Sequence, residues 1–206
     1  MNEPFPIWPH TGAILVGGLG LPACAPKEGA GMWDGQTMLE QVINTMLRVC
    51  RSVVIVGGNR EFPSGQTKRV RQLRNPDLDL SPLSGLAALL GSNLDSSYLI
   101  AACNQPFLTI PLLRQLVEGN PSRPHLFLVA KGISFHPFPG YYPATLLETV
   151  KQALSSKGTL IRAVFDEHPP LWIPISESEE NHLLSVNPPA QLEKLQQLAG
   201  HNSVSY

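Results

Sequence analysis

Charge of either sign is scarce in this chain of 206 residues, where Asp, Glu, Lys and Arg together make up 15%. The 15 basic and 16 acidic side chains nearly cancel, and no basic run is long enough to form a polybasic patch. Both facts exclude a nonspecific hold on a phosphate backbone, so no nucleic acid is expected as a partner. Cysteine is scarce too. Cys24, Cys50 and Cys103 are odd in number and far apart, which fits neither a disulfide framework nor a paired-cysteine zinc site and predicts free thiols in a reducing compartment. Long apolar runs are missing: Ala13 to Val16 is too short for a signal core or a bilayer span, and Met1-Asn2-Glu3-Pro4 carries an acid and no basic region. No membrane partner and a cytoplasmic location are therefore expected. Repeats, heptads and low-complexity segments are absent as well.

What is present is apolar side chain, 43% of the total, enough to build one core across a single domain spanning residues 1–206. Gly12-Ala-Ile-Leu-Val-Gly-Gly and Ser52-Val-Val-Ile-Val-Gly-Gly are short apolar runs ended by glycines, as parallel strands buried on both faces look. Between them Thr37 caps a helix in which Met38, Leu39, Val42, Ile43, Met46 and Leu47 recur at helical spacing, with Glu40 completing a capping box. Further strands are predicted over Val70–Leu73, Tyr98–Cys103, Leu126–Ala130 and Trp172–Ile175. Helices are predicted over Leu83–Leu90, Leu112–Val117, Ala144–Leu154, Thr159–Glu167 and Pro189–Leu198. Alternation of this kind predicts an α/β fold: a three-layer, doubly wound, mainly parallel sheet of about seven strands with ligands beyond the carboxyl ends. Many of the 20 prolines, Pro137, Pro139 and Pro143 among them, are read as belonging to connections, and Glu177 to Glu180 as a solvated loop.

Gly17 and Gly18 follow the first strand directly, where a backbone free of side chains can approach phosphates, and Lys27 lies beyond the next loop. The stretch Leu15-Val16-Gly17-Gly18 through Lys27, then Asp34-Gly35-Gln36-Thr37-Met38-Leu39 and Gly57-Gly58-Asn59-Arg60, begins an ordered series of motifs. Ser81-Pro82-Leu83-Ser84-Gly85, Asn104-Gln105-Pro106, His136-Pro137 with Tyr142, and Ser185-Val186-Asn187-Pro188-Pro189 continue it. In order and spacing, over nearly the whole chain, these segments resemble the molybdenum cofactor guanylyltransferases. That family opens with Leu-Ala-Gly-Gly-x-Ser-x-Arg-Met-Gly-x-x-Lys, closes its fourth strand with Asp-x-Pro, and carries Asn-Val-Asn-Thr-Pro before its last helix.

The resemblance implies a nucleotidyltransferase fold and transfer of GMP from GTP to molybdenum-loaded molybdopterin, with pyrophosphate released and Mg²⁺ as cofactor. GTP, a molybdopterin-type acceptor and a molybdoenzyme-maturation protein are the partners it implies. Carried over residue by residue, it implies a catalytic, phosphate-holding Lys27 and a nucleotide-binding loop at Leu15, Val16, Gly17 and Gly18. The base-recognition position falls on Gly57, with Asn59 two residues on; a further nucleotide contact falls on Asn75 or, with a shift, on Asp77; Asn187 keeps the second asparagine of the late motif. The metal position falls on Asn104.

Several charged positions of the family are altered. Its loop arginine is Pro22, its metal-binding aspartate is Asn104 and the first asparagine of the late motif is Ser185. Attack at the α-phosphorus builds negative charge that donors, a cation and a carboxylate-held metal must stabilise, so these changes bear on rate more than on fold. Three readings stay open: a guanylyltransferase, a noncatalytic relative that binds a nucleotide, the pterin or a partner enzyme, and a transferase for another base and acceptor. Plainer roles also stand beside the sharper ones. Lys27 suits a solvated loop, Asn104 a turn before Pro106, His136 a structural or rim position, and Asp77 and Asp79 a turn around Pro76.

Overall fold

The apolar run after Trp8 forms β1 (Trp8–Val16), whose residues Ala13 and Ile14 are fully buried on opposite faces. The computed structural model describes residues 6–16, 32–33, 36–57, 68–75, 81–129, 135–156 and 161–186. Within them a short antiparallel pair, β2 (Met32–Trp33) and β3 (Gln36–Thr37), leads into α1 (Met38–Leu47). The capping box forms as expected: Glu40 N donates to Thr37 Oγ1 at 3.2 Å and Thr37 N donates to Glu40 Oε2 at 2.8 Å. The chain then runs through β4 (Cys50–Gly57), β5 (Val70–Arg74), α2 (Pro82–Leu90), β6 (Ser97–Ala102) and α3 (Ile110–Val117). β7 (His125–Val129), β8 (Phe135–Pro143), a 3-10 turn at Ala144–Leu146, α4 (Leu147–Ser155), α5 (Arg162–Glu167) and β9 (Leu171–Ile175) follow. The helix expected over Pro189–Leu198 lies outside the described residues.

Seven strands make one sheet in the order β5-β4-β1-β6-β8-β7-β9. All run parallel except β8, which is antiparallel to both β6 and β7. Helices cover both faces. α1 and α3 bury Val42, Ile43, Met46, Leu112 and Leu113 against Ile14, Val53 and Leu99. α2, α4 and α5 bury Leu86, Leu89, Val150 and Phe165 against Ala13, Val54 and Ile100. This is the three-layer, doubly wound architecture expected from the alternation of elements. At Gly12 the layers come so close that a Cβ would stand 2.8 Å from Met46 Cε and 2.9 Å from Cys50 Sγ, so a side chain there would have to displace both.

Three expectations need correction. Pro137, Pro139 and Pro143 belong to β8, not to connections. Neighbouring residues of β7, Leu126 and Phe127, pair with Gly140 and His136, so residues 137–139 bulge out of the ladder and their prolines cost it no hydrogen bonds. Tyr142 closes the bulge by donating to the Pro137 carbonyl at 2.5 Å. Glu177–Glu180 is not a loop but a short helix, α6, because Ser176 and Glu179 form a second capping box. The third correction concerns thiols. Cys50 is free, with its thiol pushed up by burial against the smaller opposing pull of the Arg69 charge, whereas Cys103 is disulfide-bonded. Spacing along the chain does not say which thiols a fold brings together. No helix among the described residues is long and apolar enough to cross a membrane.

Candidate functional site

β1 stands between β4 and β6, the point where a doubly wound sheet changes direction and leaves a crevice at its carboxyl edge. Register fixes what meets there. Leu15 lies opposite Ala102 and Val16 opposite Gly57, and Cys103 N donates to the Leu15 carbonyl at 3.2 Å. The tips of the two central strands therefore end level, with Asn104 one residue beyond that bond. β5 ends beside them, since Asn75 N donates to the Gly57 carbonyl at 3.0 Å.

Asn75 is buried and ties this edge to the start of α2: its Nδ2 donates to Ser84 Oγ at 3.2 Å, and Ser84 Oγ donates to the Ser81 carbonyl at 2.9 Å. Ser81 in turn caps α2 by accepting from Ser84 N at 3.2 Å, with Pro82 at the first helical position. Gly85 lies against Leu15, whose Cδ2 would be in ordinary van der Waals contact, at 3.5 Å, with a Cβ placed there. The Ser-Pro-Leu-Ser-Gly motif thus packs directly under the loop-bearing end of β1.

Across the crevice the organiser is Gln105, only 2% exposed. Its Oε1 accepts from Ala102 N at 3.0 Å, and its Nε2 donates to the carbonyls of Phe138 at 2.8 Å and Leu183 at 3.1 Å. One amide thereby joins the end of β6, the β8 bulge and the turn at Asn181–Leu183. Val186 N then donates to the Asn104 carbonyl at 2.8 Å, which seats the Ser185-Val186 segment against the strand end. His136 and Glu180 border the same region, with Nε2 and Oε1 3.6 Å apart.

Five of the expected site residues, Leu15, Val16, Gly57, Asn75 and Asn104, are brought to this one edge by β1, β4, β5 and β6. Gly17, Gly18, Lys27, Asn59, Asp77 and Asn187 lie outside the described residues. Sequence reasoning gave no role to Gln105 or Ser84. The signal at Gln105 was an amide placed between a fully apolar strand and a proline, where only a buried bonding role suits it. As for a metal, no three His, Cys, Asp or Glu side chains cluster as ligands among the described residues. Asn104 supplies a neutral amide where Mg²⁺ usually takes a carboxylate, so the described residues do not fit that ion and no step is routed through it.

Residues 12–171 match the model of the MobA-like NTP transferase domain. The chain is 23% identical over 185 residues to the probable molybdenum cofactor guanylyltransferase of Flavobacterium johnsoniae, covering 90% of this chain and 95% of that protein. It is 26% identical over 196 residues to the molybdenum cofactor guanylyltransferase of Pseudomonas syringae, covering 93% and 96% respectively. Its fold matches the crystal structure of molybdopterin-guanine dinucleotide biosynthesis protein A from Archaeoglobus fulgidus with a TM-score of 0.70 at 18% identity, over 93% of this chain and all of that one.

Proposed function

Since the chain belongs to the MobA-like NTP transferase family, we propose that it binds GTP at the carboxyl edge of the sheet and transfers GMP to a molybdopterin-type phosphate in the cytoplasm. In this reaction an acceptor phosphate oxygen attacks the α-phosphorus, the bond from that phosphorus to the bridging oxygen breaks, and pyrophosphate leaves with the electron pair. Backbone groups of Gly17 and Gly18 cradle the phosphates and Lys27 holds them as a point charge. The base lies near Gly57 and Asn59, while Asn75 or Asp77 and Asn187 complete the nucleotide contacts. The observation that carries this reading is the convergence of Leu15, Val16, Gly57, Asn75 and Asn104 at the switch point of the sheet.

Asn104 also sets the expected rate. Loss of one preorganised electrostatic group costs about 10²- to 10³-fold in turnover, and two such positions of the resembled family are neutral here, Pro22 and Asn104. Nucleotide binding with little dependence on Mg²⁺, and transfer far slower than in relatives with an aspartate, are expected. The same residue favours a second reading, a noncatalytic relative that holds a nucleotide or the pterin beside a partner enzyme.

Calorimetric titration of GTP with and without Mg²⁺, run beside a pyrophosphate-release assay, separates the two. Slow release that Asn104→Asp accelerates and makes metal-dependent supports the transferase. GTP binding without release in either protein supports the noncatalytic relative. A larger thermal shift with CTP or UTP than with GTP moves the assignment to another base.

A further inference from the structure

The opposite end of the sheet carries a second concavity. At the amino ends of β1, β4 and β5 a cavity of about 290 Å³ is lined by Thr11, Arg51, Ser52, Lys68, Arg69 and Arg71, with Val53, Val54 and Leu94 completing its walls. Thr11 stands five residues below Val16, so roughly 17 Å of strand, at about 3.3 Å per residue, separates it from the carboxyl edge. We propose that this pocket is a binding site for a small anion carrying one or two phosphate groups, independent of the proposed nucleotide site.

The chain has 15 Lys and Arg residues and a net charge of −1, so the positive field here is local and not inherited from the whole. Four of those cations line this one pocket. Arg69 is held in place by the backbone: its Nη2 donates to the carbonyls of Leu47 at 2.8 Å and Cys50 at 2.7 Å, and its Nε donates to that of Arg51 at 2.8 Å. Arg51 reaches Asp95 at 3.4 Å, a carboxylate that already accepts from His10, Thr11 and Ser96. Among the described residues Lys68 and Arg71 meet no acceptor at all.

Solitary exposed cations are ordinarily solvated and need no ligand. Arg51, Lys68 and Arg71 are exposed too, but they differ because they line one concavity, whose shape concentrates the field of several like charges on one anion. Ser52 adds a hydroxyl, and the guanidinium of Arg71 offers the forked donors that suit phosphate oxygens. The volume is near the small end of ligand cavities, roughly 300 Å³, which suits a pyrophosphate or a small phosphate ester and excludes a folded partner from the interior.

Amide chemical-shift titration tests the proposal, because its reporters are positional and a pyrophosphate bound at the carboxyl edge is recognised as such. Pyrophosphate is expected to shift the Ser52, Val54 and Arg71 amides in a saturable way, and Lys68→Ala and Arg71→Ala are each expected to weaken that response about tenfold. Arg71→Lys keeps charge and loses the fork, so it should fall between; an unchanged urea midpoint confirms that each variant is folded. GMP binding more tightly than pyrophosphate at these amides identifies an organic phosphate as the ligand, and the reverse order an inorganic one. Shifts confined to Gly57, Ala102 and Cys103, or titration curves that the variants leave untouched, overturn the proposal. So does an oligoglutamate peptide that outcompetes both phosphates at equal ionic strength, since the pocket would then serve an acidic polypeptide.

Discussion

Asp95 fastens the loop after α2 to the amino end of the sheet. Its carboxylate lies 2.6 Å from His10 Nδ1 and accepts from Thr11 N at 3.0 Å, Thr11 Oγ1 at 3.1 Å and Ser96 N at 3.0 Å. Burial raises the pKa of this carboxyl, but the hydrogen bonds from His10, Ser96 and Thr11 and the charge of His10 outweigh burial and hold it below the ordinary value. A depressed folded pKa means stability that is fully present above the unfolded value, about 3.9 for Asp, and lost as pH falls through the folded one. Asp95→Asn is expected to lose about 1–3 kcal/mol at pH 7, and the gap to the native protein should close on acidification below pH ~4. Urea unfolding of both proteins from pH 7 to pH 2 checks the sign. His125 makes a different demand. Fully buried and stacked on Tyr141, it sets Nδ1 2.5 Å from the Leu116 carbonyl and Nε2 2.8 Å from that of Asn120. His125→Ala removes the ring from between the two carbonyls, costing about 1–3 kcal/mol for the N–H bond lost, and leaves a cavity. Gly119→Ala should destabilise by about 1–3 kcal/mol through overpacking, because the new Cβ would stand 2.3 Å from the His125 ring. Denaturant midpoints of the two variants test this. The contacts of Asp95 with His10 and Thr11 were not legible beforehand, since they join residues 85 and 84 positions apart and no local pattern points to them.

Elements whose cause is local were legible. α1 follows from apolar spacing and the Thr37–Glu40 box, and Thr37→Ala is expected to cost about 1 kcal/mol, measurable in urea. β1, β4 and β6 follow from apolar runs that only a doubly covered sheet satisfies. β8 escaped because its prolines argue against a strand, and what admits them is a bulge set by pairing with β7, a partner the local sequence does not name. Gln105 is the companion case. Its three bonds join the end of β6, the bulge of β8 and the turn before Val186. Gln105→Leu keeps the volume and removes all three, so the exposed ends of those segments should loosen before the core does. The expected outcome is a loss of about 2–4 kcal/mol, from buried groups left unpaired, with GTP affinity falling further than stability alone accounts for. Calorimetry at a temperature where the variant remains folded separates the two effects.

Across the whole molecule, the ordering of motifs foretold the architecture better than it foretold the site. Strand ends and glycines are fixed by packing, so the convergence of Leu15, Gly57, Asn75 and Asn104 could be read from their places after successive strands. The cations of the amino edge could not, because Arg51, Lys68 and Arg71 approach only once β4 and β5 pair. That pairing has a further consequence. Among the described residues β5 lies at the border of the sheet, paired with β4 alone, yet the segment it belongs to runs from Lys68 and Arg71 at one end to Asn75 at the other. Border strands with a single flank of bonds are the first to open in the native state, commonly as one piece. Deuterium should therefore enter β5 sooner than β1, which is paired on both sides. A ligand that fixes the Asn75 end closes the whole piece, so GTP is expected to slow exchange at the ladder amide of Arg71 as well as at that of Leu73, although it does not touch the pocket below.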